Sequence, residues 1–234
     1  MLQEQFRPTA SGAVYGVILN LRPQLQALGP ALDKPPYGKP PQAPVLYIKP
    51  PNTYLPGGGE VYAPEGVEAL EMGACLAIVI GRTATRVPEA QALDHVLGYA
   101  PAIDVCVPHE SLHRPAIRQR CRDGFLPIGA VAPKAAALRL NALDVALFVN
   151  GREQSRYSTA DLVRPVARLL ADVTDFITLY AGDVLLAGLP PDGPQAGIGD
   201  RAEVRIDGVG SVGCVVAREA RGPVLRSSER SVGG

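Results

Sequence analysis

Short apolar runs broken by glycine and proline dominate this chain, and only a few stretches carry a helical period. Residues 13–20 and 45–49 are rich in branched and aromatic side chains and read as buried strands, the second stopped by Pro50 and Pro51. The run 76–80 is uniformly apolar and ends at Gly81 and Arg82. Residues 97–107 and 183–188 read the same way. The run from Leu147 enters a tight turn at Asn150 and Gly151. Residues 202–210 alternate cleanly into a turn at Gly208 to Gly210, and 212–217 return as the hairpin partner. Helical spacing is confined to 21–28, to 88–96 with Glu89 in its first turn, and to 161–179. In that last stretch Leu162, Val166, Leu169, Leu170, Val173 and Phe176 share one side. Six prolines in 29–44 predict an extended connector, and Pro56 to Gly59 a turn.

The pattern predicts an α+β fold of mostly β character, a mixed β-sandwich or roll with few short helices. One domain is expected over residues 13–218, preceded by a loose lead-in (1–12) and followed by a disordered tail (219–234) rich in Arg, Ser and Gly. Gly 25 and Pro 23 in 234 residues fit many short strands joined by turns. Lys+Arg 23 balances Asp+Glu 23, so neither nucleic acid nor an anionic membrane is an expected partner. No apolar run reaches bilayer length, and Glu4 stands where a signal peptide would be basic. The four cysteines, Cys75, Cys106, Cys121 and Cys214, are widely spaced and form neither a disulfide framework nor a zinc module. A reduced, cytoplasmic setting follows.

Phosphate loops, nucleophile elbows and HExxH are absent. His95, His109 and His113 have no marked serine partner. The stretch 108–124 gathers His109, Glu110, His113, Arg114, Arg118, Arg120, Arg122 and Asp123. It reads either as a solvated loop or as an anion site, since arginine's planar fork matches a carboxylate. Asp104 follows an apolar run, where a carboxylate needs a compensating cation or hydrogen bonds.

Several residues then fall into a known order. Leu46 to Pro50, the run 76–82, Gly98 and Tyr99 ahead of Asp104, Arg120 to Gly124, Gly182 to Gly188, and Gly199 with Asp200 resemble the fumarylacetoacetate hydrolase family across 14–216. Asn20 to Leu25, Cys121 to Phe125, Pro127 to Gly129 and Thr159 to Leu162 narrow the resemblance to its isomerase/decarboxylases of 4-hydroxyphenylacetate degradation, specifically the N-terminal half, or subunit 1. The resemblance implies decarboxylation of 5-oxopent-3-ene-1,2,5-tricarboxylate and isomerisation of 2-hydroxyhepta-2,4-diene-1,7-dioate. It also implies Mg²⁺ or Mn²⁺, and either a paralogous subunit 2 or a homo-oligomer as partner.

Against the family pattern, the two metal-ligating glutamates fall at Gly73 and Cys75, the helix histidine at Gln24, the lysine at Arg120, and the threonine of a late turn at Leu189. Asp104 remains, with Glu71 as a distant substitute, so tight metal binding is not expected of this chain. Arg120 and Asp104 are the catalytic candidates. Lys49, Arg114, Arg122, Asp123 and Thr159 are the candidates for holding an acidic substrate. A non-catalytic assembly role, or a hydrolase or binder for another 2-oxo dicarboxylate, stands beside the enzymatic reading.

Overall fold

Strand β1 (Val14–Ile18), mostly buried, leads into helix α1 (Arg22–Leu28), which carries Pro23 in its first turn. The computed structural model describes residues 12–35, 38–109, 116–134, 138–190 and 193–219. Nearly all of the lead-in and of the tail therefore lies outside the described residues. The connector is not uniformly extended: Gly29–Asp33 forms a 3₁₀ turn, because proline's fixed φ suits a first helical turn as well as an extended chain.

Strands β2 (Val45–Lys49), β3 (Tyr54–Pro56), β4 (Glu60–Ala63) and β5 (Ala69–Ile80) follow. Then come α2 (Glu89–Ala92), β6 (Val96–Cys106), α3 (Ile117–Arg120), β7 (Leu126–Ile128) and β8 (Ala132–Pro133). The charged stretch after β6 thus contains a helical turn that its composition did not announce. The chain closes with β9 (Asp144–Val149), β10 (Arg152–Ser158), α4 (Val166–Thr174), β11 (Val184–Leu186), β12 (Gln195–Gly197), β13 (Arg201–Ile206) and β14 (Gly210–Arg218). Asn150 and Gly151, both at positive φ, make the β9–β10 turn.

Helix α4 is shorter than the 161–179 expected from its spacing. Pro165 bars the α conformation at Arg164, so the helix begins only at Val166. Phe176, expected on the apolar side, is 58% exposed beyond the helix end.

The strands form two sheets. One runs β2-β1-β11-β5-β6-β7-β3, with β12 also paired to β5 and β8 to β6; the other runs β10-β9-β13-β14-β4. Alternation along β5 divides the core. Leu70, Met72, Ala74, Leu76, Ile78 and Ile80 point toward the second sheet, joining Val145, Leu147, Val204 and Val216. Cys75, Ala77 and Val79 point the other way and join Val14, Ala100, Ala102, Leu126 and Leu186. That second cluster lies inside a curl of the first sheet. Flat, β2 and β6 would stand about 19 Å apart, four strand spacings; yet Lys49 of β2 touches Asp104 of β6. The curl encloses the candidate site.

Candidate active site

The β5–β6 register sets Asp104 opposite Gly73, with Glu71 opposite Cys106 and Cys75 opposite Ala102. Glu71, Gly73, Cys75, Asp104 and Cys106 therefore face the inside of the curl. From β2, paired with β1 in the register Val14 to Lys49 and Gly16 to Tyr47, the side chains of Lys49 and Tyr47 enter the same space. Gly16 is needed there: a Cβ on it would overlap the Tyr47 ring.

Asp104 is 1% exposed and surrounded by donors and cations. Lys49 Nζ lies 2.6 Å from Oδ1, Arg120 Nη1 donates to Oδ2 at 3.1 Å, and the Tyr47 hydroxyl donates to the same Oδ2. The Arg120 guanidinium also sits 5.1 Å from the Tyr47 ring centre. Lys49 is itself fully buried and donates to the carbonyls of Val105 (3.0 Å), Arg120 (3.0 Å) and Phe125 (2.7 Å). Its three hydrogens are shared among these carbonyls and Asp104 Oδ1, the nearest of the four oxygens. Burial pulls the Arg120 pKa down, but Asp104, followed by Tyr47, Cys106 and Glu71, more than reverses this, so the guanidinium stays charged. Burial first, and then Asp104, raises Tyr47 well above its usual range.

A cavity of about 520 Å³ opens beside this cluster. Glu71, Gly73, Asp104, Cys106, His109 and Arg120 form its floor. Its roof is apolar, built by Ile18, Leu19, Ala27, Leu28, Pro41 and Val45. Leu19 holds a left-handed backbone (φ 59), unfavourable by roughly 1–2 kcal/mol, and its N–H donates to Gln24 Oε1 at 2.9 Å. Asn20, fully buried, donates to the carbonyls of Ala187 (2.7 Å) and Arg164 (3.2 Å) and accepts from Arg164 N–H (2.9 Å). It thereby ties the end of β1 to the segment carrying Leu189.

The expected site residues divide accordingly. Arg120, Asp104, Glu71, Gly73, Gln24 and Leu189 border the cavity, and Cys75 lies buried beside it. Lys49 does not reach substrate space, because its donors are consumed by backbone and Asp104 and its side chain is sealed. Asp104, a catalytic candidate, borders the cavity, but its side chain is 0% exposed and turned to Lys49, Arg120 and Tyr47, so it orients Arg120. Arg122 instead pairs with Glu219 at 3.0 Å, and Asp123 accepts from Asn52 at 2.7 Å, both away from the cavity lining. Thr159 is buried and its hydroxyl accepts from Leu143 N–H at 2.8 Å, a structural duty. Arg114 lies outside the described residues, as do Glu110 and His113. Tyr47, Asn20, Leu19 and Cys106 were missed. For Tyr47 a signal existed, since strand alternation places it on one face with Lys49.

The residues do not fit a hard divalent cation. Gly73 offers no donor, and a Cβ there would run into the Leu189 side chain, which fills the vacated space. Burial, then the charge of Asp104, pushes the Cys75 thiol well above its usual range, so it stays protonated. Two cations already face Asp104 and would repel a third. Among the described residues no three His, Cys, Asp or Glu side chains converge.

Buried thiols carry a pH prediction. Burial pushes Cys106 and Cys214 from about 9 up to about 12. Between those values the unfolded chain loses protons that the folded chain keeps. Stability present below pH 9 therefore falls by about 1.4 kcal/mol per pH unit for each thiol. Thermal melts from pH 8 to 11 should show a shallower alkaline decline for Cys106→Ala/Cys214→Ala than for the parent chain; parallel declines would contradict it.

Compared with known proteins, residues 13–217 match the family model described as fumarylacetoacetate (FAA) hydrolase C-terminal, and the chain belongs to this family. It is 40% identical over 198 residues to the 4-hydroxyphenylacetate degradation bifunctional isomerase/decarboxylase of Salmonella dublin, covering 85% of this chain and 45% of that protein. The chain thus spans about half the length of these relatives and matches their C-terminal half, not the N-terminal half that the resemblance suggested. It is also 32% identical to the mitochondrial oxaloacetate tautomerase FAHD2 of Arabidopsis thaliana, over 97% of this chain and 98% of that one. Among solved structures, the 5-carboxymethyl-2-hydroxymuconate delta-isomerase of Mycobacterium smegmatis superposes with TM-score 0.75 at 26% identity, covering 91% of this chain and 81% of that chain. The fumarylpyruvate hydrolase of Pseudomonas aeruginosa, solved with Mn²⁺ and pyruvate, shares the fold with TM-score 0.76 at 24% identity, over 88% and 90% of the two chains. The mostly-β expectation agrees with this fold. No helix among the described residues is long and apolar enough to cross a membrane.

Proposed function

We propose that this chain is a subunit of an isomerase/decarboxylase of 4-hydroxyphenylacetate catabolism, working beside a paralogous, metal-bearing subunit. Its substrates are then 5-oxopent-3-ene-1,2,5-tricarboxylate and 2-hydroxyhepta-2,4-diene-1,7-dioate, and its setting is cytoplasmic. The carrying observation is the pairing of Asp104 with Lys49, Arg120 and Tyr47 in a chain 40% identical to those enzymes. A carboxylate that would hold the cation in a metal-bearing relative here orients a guanidinium. In this reading Arg120 binds and orients a carboxylate, the apolar roof excludes water, and no proton is taken by Asp104.

The lost donors at Gly73 and Cys75 also support an assembly partner without turnover of its own. The full-length match to oxaloacetate tautomerases supports a third reading, a site for another 2-oxo dicarboxylate. One experiment separates them. The chain is assayed alone and mixed with a family member that keeps both glutamates, following CO₂ release and dienedioate absorbance while light scattering weighs the complex. The enzymatic reading expects stimulated turnover that Arg120→Gln lowers about tenfold or more. A heteromer whose turnover ignores Arg120 leaves only the assembly role, and no complex with no turnover overturns both.

A further inference from the structure

We infer that the side-chain amide of Gln24 donates to the oxo oxygen of the substrate and stabilises that oxygen when it takes on negative charge. The inference rests on the reading of the cavity as the working site of an isomerase/decarboxylase and adds the group that meets the developing charge.

Gln24 is the polar side chain that helix α1 brings among the hydrocarbons of the roof. Its orientation is set by the backbone. The left-handed turn at Leu19 aims an N–H at Gln24 Oε1 (2.9 Å), and an N–H needs an oxygen to accept it, so the nitrogen end of the amide is left to the cavity. Among the described residues Nε2 has no partner for either hydrogen. The other polar side chains of the lining are engaged. The Cys106 thiol donates to the Val107 carbonyl at 3.2 Å, and Glu71 and His109 each hold an interaction of their own. Arg120 spends one N–H on Asp104, and its charge suits a carboxylate. Gln24 is thus an uncharged, pre-aimed donor.

The proposed reactions call for such a donor. When the tricarboxylate loses CO₂, the bond to the departing carboxylate breaks. Its electron pair runs through the conjugated double bond to the oxo oxygen and gives a dienolate. A proton from water on that oxygen yields 2-hydroxyhepta-2,4-diene-1,7-dioate. In the isomerisation this dienol returns the proton to water, forms the same dienolate and takes a proton on carbon. Both steps gather charge on one oxygen, and a donor already in place stabilises it without reorganisation. The amide gives up no proton of its own, so Gln24 acts as neither acid nor base.

Calorimetric titration of the full chain with 2-oxoheptanedioate and with heptanedioate, which lacks only the oxo oxygen, tests the contact. The parent chain should prefer the oxo acid about fivefold, the span of one neutral hydrogen bond. Gln24→Glu keeps an oxygen for the Leu19 N–H, and with it the melting temperature, but has no hydrogen to give. Gln24→Met has neither. Both variants should erase the preference, whatever they do to heptanedioate itself. A parent chain without the preference, or either variant retaining it, overturns the inference. In the mixing assay Gln24→Met should lower stimulated turnover about a hundredfold, the cost of removing one such donor, and unchanged turnover overturns the inference as well. A preference that both variants erase, in a chain that never stimulates its partner, removes the proposed function and leaves the Gln24 contact standing.

Discussion

Lys49→Met is expected to lower the melting temperature by about 10 °C, the consequence of roughly 3–5 kcal/mol lost in a chain of this size. The side chain is fully buried, three backbone carbonyls accept from its ammonium, and Asp104 lies 2.6 Å away. Methionine restores the volume and none of the polar contacts. Asp104 keeps Arg120 as its counter-ion but loses its closer one, and the carbonyls of Val105, Arg120 and Phe125 lose a shared donor. Since two of those carbonyls flank the turn between α3 and β7, the turn should loosen with them. Adding Asp104→Leu should cost less than the sum of the single changes, because the stranded carboxylate is then gone. Strict additivity in differential scanning calorimetry would mean that Lys49 serves the backbone only.

The second large effect is at Asn20. Asn20→Leu leaves the carbonyls of Ala187 and Arg164 and the Arg164 N–H buried without their partner. At about 1 kcal/mol or more for each stranded group, the loss is about 3 kcal/mol and again several degrees of melting temperature. The damage also reaches the cavity. Asn20 fixes the β1 end beside the strained Leu19 and anchors Ala187, two residues before Leu189, so both walls shift together. Weaker stimulated turnover in the mixing assay should therefore accompany the lower melting point; a destabilised variant with unchanged turnover would confine Asn20 to a structural role.

Local chemistry made the strands legible. Branched residues, alternation in β13, and Asn150 with Gly151 state their conformations within a few residues. Helix α4 was over-extended because apolar spacing continued through a proline that the backbone could not accept. The 3₁₀ turn at Gly29–Asp33 was hidden because proline permits both that turn and extension. The site was half legible. Asp104, Arg120, Gly73 and Cys75 stood out by resemblance, but what they do depends on contacts between distant strands. Lys49 and Asp104 are 55 positions apart and four strands apart in the sheet, and only its curl brings them together. Lys49 therefore looked like a substrate ligand when it is a buried strut. The left-handed turn at Leu19 had no signal, since leucine rarely adopts it.

Manganese titration of the purified, EDTA-stripped chain, followed by the electron paramagnetic resonance of free Mn²⁺, asks most directly whether Asp104 serves Lys49 and Arg120 or a metal. With both oxygens of Asp104 turned to those cations, the free signal should rise in proportion to added Mn²⁺ up to about 1 mM, indicating no site tighter than roughly −4 kcal/mol. One Mn²⁺ per chain taken up at micromolar concentration, and lost in Asp104→Asn, would contradict the account.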